Sequence, residues 1–213
     1  MISGQQTCVS PRIVLHSKRS KNNFMTIATA QQHFIDHLET GVDWNKVFGV
    51  VDSLYSDDGF TTNADNFTRA TAVEKAIAKF SNLDRVDQKG YDFMYGEERI
   101  ELKMQKNLFQ KRNPFATGKF KVKNFYGEKK TLEDFKSQKT FDYMMVLDLN
   151  ARRVIIIEDE NARPLYEQYG DGVYVKLDIG NYYECDIGSV EPIMPPTKLS
   201  SGITAAIEDY LNF

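Results

Sequence analysis

Two acidic residues in the stretch GYDFMYGEERIELKMQ, residues 90–105, are spaced so that they could hold a divalent cation. The stretch predicts two short strands, and a two-residue turn at Gly96 and Glu97 places Asp92 directly opposite Glu101. Their β-carbons would lie about 4.5–5.5 Å apart, and like charges at that spacing are destabilising. A three-residue loop would shift this register. With the shorter turn, a bound cation is the obvious compensation, because hard cations prefer carboxylate oxygens.

The strand after the turn alternates between apolar and polar residues without a break. Its apolar members are Ile100, Leu102 and Met104, and its polar members are Glu101, Lys103 and Gln105. This period of two is typical of a half-buried strand. An acid two residues before a lysine occurs at four places in the chain, but only Glu101 and Lys103 lie in a clean alternating strand with an aspartate on the strand before it.

A strongly basic segment follows the acidic strand. Between Lys103 and Lys130 the chain places nine of its 27 lysine and arginine residues and one of its 30 acids, with aromatic residues interleaved. Basic groups along one element are the electrostatic footprint of a phosphate backbone. An isolated run of like charges is usually a solvated loop. This segment begins on the strand that carries Glu101, and that position favours nucleic-acid binding. The contacts that we expect are Gln105, Lys106, Lys111, Arg112, Lys119, Lys121 and Lys123.

The composition is that of a soluble globular protein, with 213 residues, 41% hydrophobic and 27% charged, and a net charge of −3. No apolar run approaches the ~20 residues of a membrane-spanning helix, so no membrane association is expected. Cys8 and Cys185 are too few for a disulfide framework. This cysteine usage predicts a reducing compartment and therefore a cytoplasmic location.

Apolar spacing and turn residues predict the elements that must position the acids. Helices are expected over 28–39, 43–55, 66–82 and 131–140, the last with Thr131 as N-cap and Asp134 three positions on. Strands are expected near 85–88, 90–95, 98–105, 143–149, 152–159, 173–179 and 182–187, with an Asn-Ala turn between the fourth and the fifth, and a final helix over 202–213. The central order is therefore helix, strand, strand, strand, helix, strand.

In this order the residues resemble the PD-(D/E)xK nuclease superfamily, which includes most type II restriction endonucleases. The resemblance rests on Gly90-Tyr91-Asp92 followed by Glu101-Leu102-Lys103, and it covers about residues 66–150. Tyr91 stands where the family usually has proline, and Gln105 extends the motif to E-x-K-x-Q, as in some members. The resemblance implies an α/β fold in which helices flank a mixed central sheet. Its restriction-endonuclease-like core would have the order α-β-β-β-α-β, after N-terminal helices.

The expected organisation is a flexible N-terminal arm over residues 1–25 and a single nuclease domain over 26–213. Within that domain we expect a helical subdomain, a catalytic core and a C-terminal β/α extension, over 26–60, 66–150 and 151–213.

The resemblance also implies roles for individual residues. Asp92 and Glu101 would hold Mg²⁺ together with the backbone carbonyl of Leu102. Lys103 would orient or deprotonate the attacking water, and Glu74 would be the accessory acid that some members place on the helix before the core. Two simpler interpretations remain open: Glu74 is a surface residue, and the Glu101 strand is a solvent-facing edge kept soluble by its charges.

These roles imply an Mg²⁺-dependent endonuclease that hydrolyses phosphodiester bonds of double-stranded DNA, and in particular a type II restriction enzyme. Such an enzyme would act as a homodimer on a palindromic site. Arg112 is the residue that we expect to read a base, because a guanidinium pairs bidentately with guanine. The alternatives are a phage or repair nuclease with little sequence specificity and a catalytically silent nucleic-acid-binding module of the same fold.

Overall fold

The segments with helical spacing fold as helices, and the alternating segments as strands. The computed structural model describes residues 29–55, 66–88, 90–106, 108, 119–124, 131–170, 172–177 and 181–190. Within them, a mostly antiparallel sheet of six strands is flanked by helices. The mixed α/β class with a central sheet is therefore confirmed. The predicted arm over 1–25 and the predicted helix over 202–213 lie outside the described residues.

Three helices come before the sheet: α1, Thr29–Thr40, α2, Trp44–Tyr55, and α3, Asn66–Ser81. Their bounds agree with the predicted ones to within one residue. Their buried apolar residues, such as Phe34, Val47 and Ile77, form one core cluster. None of the helices in the described part of the chain is long and apolar enough to cross a membrane.

The next three strands form an antiparallel meander: β1, Asp84–Gln88, β2, Tyr91–Tyr95, and β3, Glu98–Gln105. Gly96 takes a φ of 62° in the turn between β2 and β3. Tyr95 pairs with Glu98, which is the register of the predicted two-residue turn. The turn and register predicted from the sequence are therefore confirmed.

The chain then passes through β4, Lys119–Asn124, and α4, Leu132–Ser137, before β5, Tyr143–Asp148, and β6, Arg153–Glu158. β5 runs parallel to β3, and β6 pairs antiparallel with β5. Thr131 caps α4 in a capping box with Asp134, as predicted. The helix is shorter than the predicted 131–140, because Gln138 already has extended backbone angles. Residues 149–152 separate β5 from β6, a longer connection than the predicted Asn-Ala turn.

Four short elements complete the described chain: α5, Asp159–Ala162, β7, Glu167–Tyr169, β8, Gly172–Lys176, and β9, Tyr183–Glu184, with a 3₁₀ turn between α5 and β7. The central sheet has the order β1-β2-β3-β5-β6-β9, and a second sheet has the order β4-β8-β7. We expected one central sheet, and that expectation was incomplete. The alternation in KFKVKN indicates β4, a strand missing from the sequence prediction, which assigns these lysines to the basic segment alone.

The central sheet separates two apolar clusters. One cluster joins α1, α2 and α3 to the face that bears Ile100 and Leu102, and the other joins α4 and the second sheet to the opposite face. Glu101 and Lys103 pair in register with Met144 and Val146, which belong to the second cluster. Residues that pair in adjacent strands face the same side of a sheet. The side of β3 that bears Glu101 and Lys103 is therefore the one that α4 and the second sheet partly cover.

Two polar links join parts of the chain that are distant in sequence. Glu39 Oε1 accepts hydrogen bonds from the Tyr183 hydroxyl at 2.9 Å and from the Asp186 backbone N–H at 2.8 Å, which ties α1 to the segment around β9. Arg152 donates to both carboxylate oxygens of Asp52 at 2.8 Å, which ties the turn before β6 to α2. The helical layer is thus fixed to the sheet by polar bonds as well as by apolar packing.

Asp148 lies at the end of β5 with only 2% of its surface exposed. Its two oxygens accept the backbone N–H groups of Leu108 and Ala151, each at 3.2 Å. Replacing Asp148 with alanine should lower the free energy of unfolding by about 2–3 kcal/mol, because the buried Leu108 N–H and the partly buried Ala151 N–H lose their acceptor. Urea denaturation measures this loss, and Asp148→Asn, which keeps one oxygen, should lose less. An alanine variant as stable as the wild type would contradict this interpretation.

Candidate active site

Asp92 lies where the ladder between β2 and β3 ends. The register pairs run from Tyr95 with Glu98 to Phe93 with Ile100. Asp92 and Glu101 come next in that register. The Asp92 carboxylate instead accepts the backbone N–H of Leu102 at 2.6 Å through Oδ2. The side chain therefore takes over a backbone hydrogen bond of β3.

Glu101 and Lys103 lie two residues apart on the same face of β3 and form an ion pair through Oε1 of the glutamate. Their side chains are 17% and 20% exposed, respectively. The pair is thus accessible at one edge while most of its surface is shielded from water. In that setting electrostatic interactions are stronger than at an open surface.

Burial raises the pKa of Glu101 to about 7, and the charges of Asp92 and Glu74 add to this rise, while Lys103 opposes it. Burial also raises the pKa of Asp92, against the Leu102 hydrogen bond and the charges of Lys103 and Arg85, which lower it. The raised pKa values of these two neighbouring acids indicate that negative charge is unfavourable here when no cation is bound. A cation would offset this cost.

This pKa predicts a measurable effect on stability. The folded state binds a proton at Glu101 more tightly than the unfolded chain, whose ordinary value is 4.5. The ionised side chain therefore destabilises the fold increasingly from pH 4.5 to about 7. Without divalent metal, Glu101→Gln should be more stable than the wild type above pH 7, by up to about 3 kcal/mol, and the difference should vanish below pH 4.5.

Urea denaturation at pH 4 and pH 8 in EDTA measures this difference. Glu97→Gln is the matched control, because Glu97 is exposed in the turn of the same hairpin. A Glu101→Gln variant that gains nothing at pH 8 would show that the Glu101 carboxylate is not held in an unfavourable setting.

Glu74 and Arg85 form an ion pair next to the two acids. Arg85 donates from Nε at 3.1 Å and from one terminal nitrogen at 2.9 Å to the same Glu74 oxygen. Glu74 is largely shielded from water and influences the pKa of Glu101, so it is not the surface residue of the simpler interpretation. Arg85 was missed in the sequence. Its only signal was a basic residue in a strand predicted to lie beside the strand of Asp92.

The oxygens of this cluster fit a hard cation such as Mg²⁺. Asp92 uses Oδ2 for Leu102, and Glu101 uses Oε1 for Lys103, which leaves one oxygen of each carboxylate to bind a cation. In the part of the chain that the structure describes, no group of three or more His, Cys, Asp or Glu residues is arranged to hold a metal ion. Two carboxylates are sufficient for Mg²⁺, which often binds one or two of them together with substrate phosphates and water.

The basic residues expected to contact nucleic acid are only partly described. Lys106 is exposed directly after β3, and Lys121 is exposed on β4. Gln105 ends β3 opposite Asp148, and its carbonyl accepts the Leu149 N–H at 2.8 Å. Lys119 and Lys123 lie on β4 without described side chains, and Lys111 and Arg112 lie outside the described residues. The structure thus brings the acids and Lys103 together. Of the expected nucleic-acid contacts, it describes the side chains of Gln105, Lys106 and Lys121.

The described part defines a mixed α/β protein in which Glu101 and Lys103 share one face of a mostly antiparallel sheet, and the Glu74–Arg85 pair is close enough to influence the two acids. No protein-family model matches the chain, and neither a curated protein nor a solved structure matches it.

Proposed function

We propose that the protein is an Mg²⁺-dependent endonuclease that hydrolyses phosphodiester bonds of double-stranded DNA, and in particular a type II restriction enzyme. One observation carries the proposal: Asp92, Glu101 and Lys103 meet on one sheet face, where both acids have raised pKa values. Shielded carboxylates whose pKa values are raised, beside a charge partner such as lysine, are typical of functional sites. A metal ion bound by the two acids and a phosphate beside Lys103 would together engage all three side chains.

The topology supports the resemblance to the PD-(D/E)xK nucleases. The chain runs α3, β1, β2, β3, α4 and β5, which is the expected order, with β4 added between β3 and α4. The first three strands form an antiparallel meander, and β5 returns parallel to β3. A helix between β3 and β5 is the usual way to connect parallel strands, because such a connection must cross the sheet.

Asp92, Glu101 and the carbonyl of Leu102 are the groups that would hold Mg²⁺. When bound, the ion supplies positive charge that polarises the phosphate and makes a nearby water more acidic. Asp92 is well oriented for this role because its contact with the Leu102 N–H fixes its carboxylate beside β3. Arg85 holds Glu74 through Oε2 alone, so the second oxygen of Glu74 would be open to serve as the accessory ligand.

Lys103 is the residue that would act on the attacking water. Its ammonium group lies against Glu101, so the ion pair holds it on the face that would receive the phosphate. In this position Lys103 can hydrogen-bond a water molecule and orient it for attack on phosphorus. Its positive charge also opposes the negative charge that builds up in the transition state.

The basic segment supports DNA as the substrate. Lys106 follows directly from the strand of Glu101 and Lys103, and its side chain is exposed. A duplex whose phosphate reaches Lys103 would therefore pass close to Lys106. A homodimer with twofold symmetry would supply one active site for each strand of a palindromic sequence.

A digest of a long DNA of known sequence with Mg²⁺, followed by mapping of the ends, tests this function. Discrete fragments with a common end sequence are expected. A smear would indicate a nuclease without sequence preference, and intact DNA under all divalent metals would reject the nuclease function. Binding of the same DNA in EDTA shows whether an inactive chain is a nucleic-acid-binding module.

A further inference from the structure

Arg85 reaches the candidate active site from β1, the strand at one end of the central sheet as the structure describes it. It pairs in register with Phe93, which follows Asp92 and is buried against the helices. Residues that pair in adjacent strands face the same side of a sheet, so Arg85 points towards α3 and meets Glu74 there. Burial raises the pKa of Asp92, and the charge of Arg85 opposes that rise. Burial and the charge of Glu74 both raise the pKa of Glu101, so the pair lies within electrostatic reach of the two acids.

The guanidinium group of Arg85 holds only one oxygen of Glu74. Its Nε and one terminal nitrogen both donate to Oε2, at 3.1 Å and 2.9 Å. In the common bidentate pair an arginine engages both carboxylate oxygens, whereas here Oε1 accepts no bond from Arg85. The two side chains are 28% and 16% exposed, so this is not one of the open surface pairs that contribute little. Arg85 is therefore fixed against Oε2, and Oε1 is left for another partner.

The charges of the site balance when one divalent cation and one phosphate are added. The site contains three acids and two bases, and it carries one net negative charge when all of them are ionised. These residues are Glu74, Asp92, Glu101, Arg85 and Lys103. A divalent cation and a singly charged phosphodiester bring the sum to zero. Without Arg85 the same additions would leave a negative charge, which a second cation would have to offset.

We propose that Arg85 takes the place of a second divalent cation and thereby limits the site to one ion. Its guanidinium group occupies Oε2 of Glu74, the oxygen that a second ion would need, and supplies fixed positive charge on the α3 side of the acids. Glu74 then has one oxygen for the ion that Asp92 and Glu101 would hold. Arg85 is a positioning residue, because it acts through Glu74.

The inference rests on the proposed function and deepens it, because it states how many ions the nuclease uses. Nucleases with two metal ions use them as a clamp on the attacking and the leaving oxygens of the phosphate. With Arg85 in place, only one of these ions is bound, and a guanidinium charge that cannot dissociate stands in for the other.

Counting the Mn²⁺ ions that bind in the absence of DNA tests the proposal. The electron paramagnetic resonance signal of free Mn²⁺, followed during a titration, gives the number of ions bound per chain. The wild type should bind one ion, and Arg85→Met, which removes the charge but keeps an unbranched side chain, should bind two. Arg85→Lys keeps the charge and should return the number to one. Arg85→Met combined with Glu74→Gln should also bind one, because the carboxylate for the second ion is gone.

Arg152→Met is the matched control, because Arg152 also holds a shielded acid, Asp52, but lies in the turn before β6. This variant should bind one ion. A folded Arg85→Met variant that binds one ion would overturn the proposal, and so would a wild type that binds two ions or none. A second ion gained equally by Arg85→Met and Arg152→Met would overturn it as well.

Thermal unfolding provides a second measurement on the same variants. Arg85→Met leaves the shielded Glu74 carboxylate without its partner, so its melting temperature in EDTA should fall below that of the wild type. Mn²⁺ should then raise the melting temperature of Arg85→Met by more than that of the wild type, because two bound ions stabilise the folded state more than one. If Arg85→Met is unfolded in EDTA, it should fold when Mn²⁺ is added, and a chain that stays unfolded would contradict the proposal.

Ion counting and plasmid cleavage separate this inference from the nuclease function. Cleavage by the wild type, combined with one bound ion in Arg85→Met, would reject the role of Arg85 alone. A change from one ion to two in a chain that cleaves no DNA would reject the nuclease alone.

Discussion

Replacing Asp92 with alanine should abolish Mg²⁺-dependent DNA cleavage and leave DNA binding measurable. The cleavage rate should fall by at least about 10³-fold, because the loss of a metal ligand removes several kcal/mol of charge stabilisation. Glu101→Ala should have the same effect, since the two carboxylates lie on the same sheet face and would share one ion. Phosphate contacts by the basic segment are a separate contribution and should persist.

Single-turnover cleavage of a plasmid, together with DNA binding in Ca²⁺ or EDTA, measures both effects. Glu97→Ala is the control that removes an acid from the same hairpin without touching the site. Cleavage near the wild-type rate by either Asp92→Ala or Glu101→Ala would remove the basis of the nuclease proposal.

Lys103→Ala should slow the chemical step by about 10²–10⁴-fold, the range expected when a positioned proton-transfer group is lost. The Mg²⁺ concentration for half-maximal activity should change far less than it does in the acid variants, because Lys103 is not a ligand. Single-turnover rates at saturating DNA, measured across a range of Mg²⁺ concentrations, separate the two effects.

Lys103→Arg distinguishes between the possible actions of this residue. Arginine keeps the positive charge but does not lose its proton in a protein. Recovery of most activity by arginine would mean that Lys103 acts through charge and orientation, and failure would mean that proton transfer is required. If Lys103→Ala weakened DNA binding while single-turnover cleavage stayed intact, Lys103 would be a phosphate contact.

The hairpin with its two acids could be predicted because its determinants are local. Gly96 allows a turn with positive φ, and alternation then fixes which side chains share a face. The N-terminus of α4 was equally predictable, since Thr131 and Asp134 complete a capping box within four residues. In each case the residues that decide the structure lie within one short segment.

The surroundings of the acids could not be predicted, because they depend on contacts between distant segments. The pairing of Glu74 with Arg85 requires α3 to pack beside β1 at one particular angle. The second sheet requires β4 to meet β8, about 50 residues later, and a register shift between Lys121 and Lys123 adds an irregularity that alternation does not encode.

The end of α4 is a further example of a long-range determinant. Asp142 accepts hydrogen bonds from Arg99 and forms an ion pair with Lys139, just after the helix. Burial favours the neutral acid, but these hydrogen bonds lower the pKa of Asp142 to about 2. The connection after α4 is thus held extended against β3, and no propensity within residues 131–140 indicates this.

The hydrogen bonds of Glu39 can form only late in the synthesis of the chain. Its hydrogen bonds join α1 to residues 144 and 147 positions later. A ribosome releases a chain from its N-terminus at about 5–20 residues per second. The helix α1 is therefore synthesised several seconds before Tyr183 and Asp186. The strands that carry Asp92 and Glu101 are synthesised within that interval, before Glu39 can form its hydrogen bonds. The polar link between α1 and the segment around β9 can therefore form only after the whole hairpin of Asp92 and Glu101 has been made.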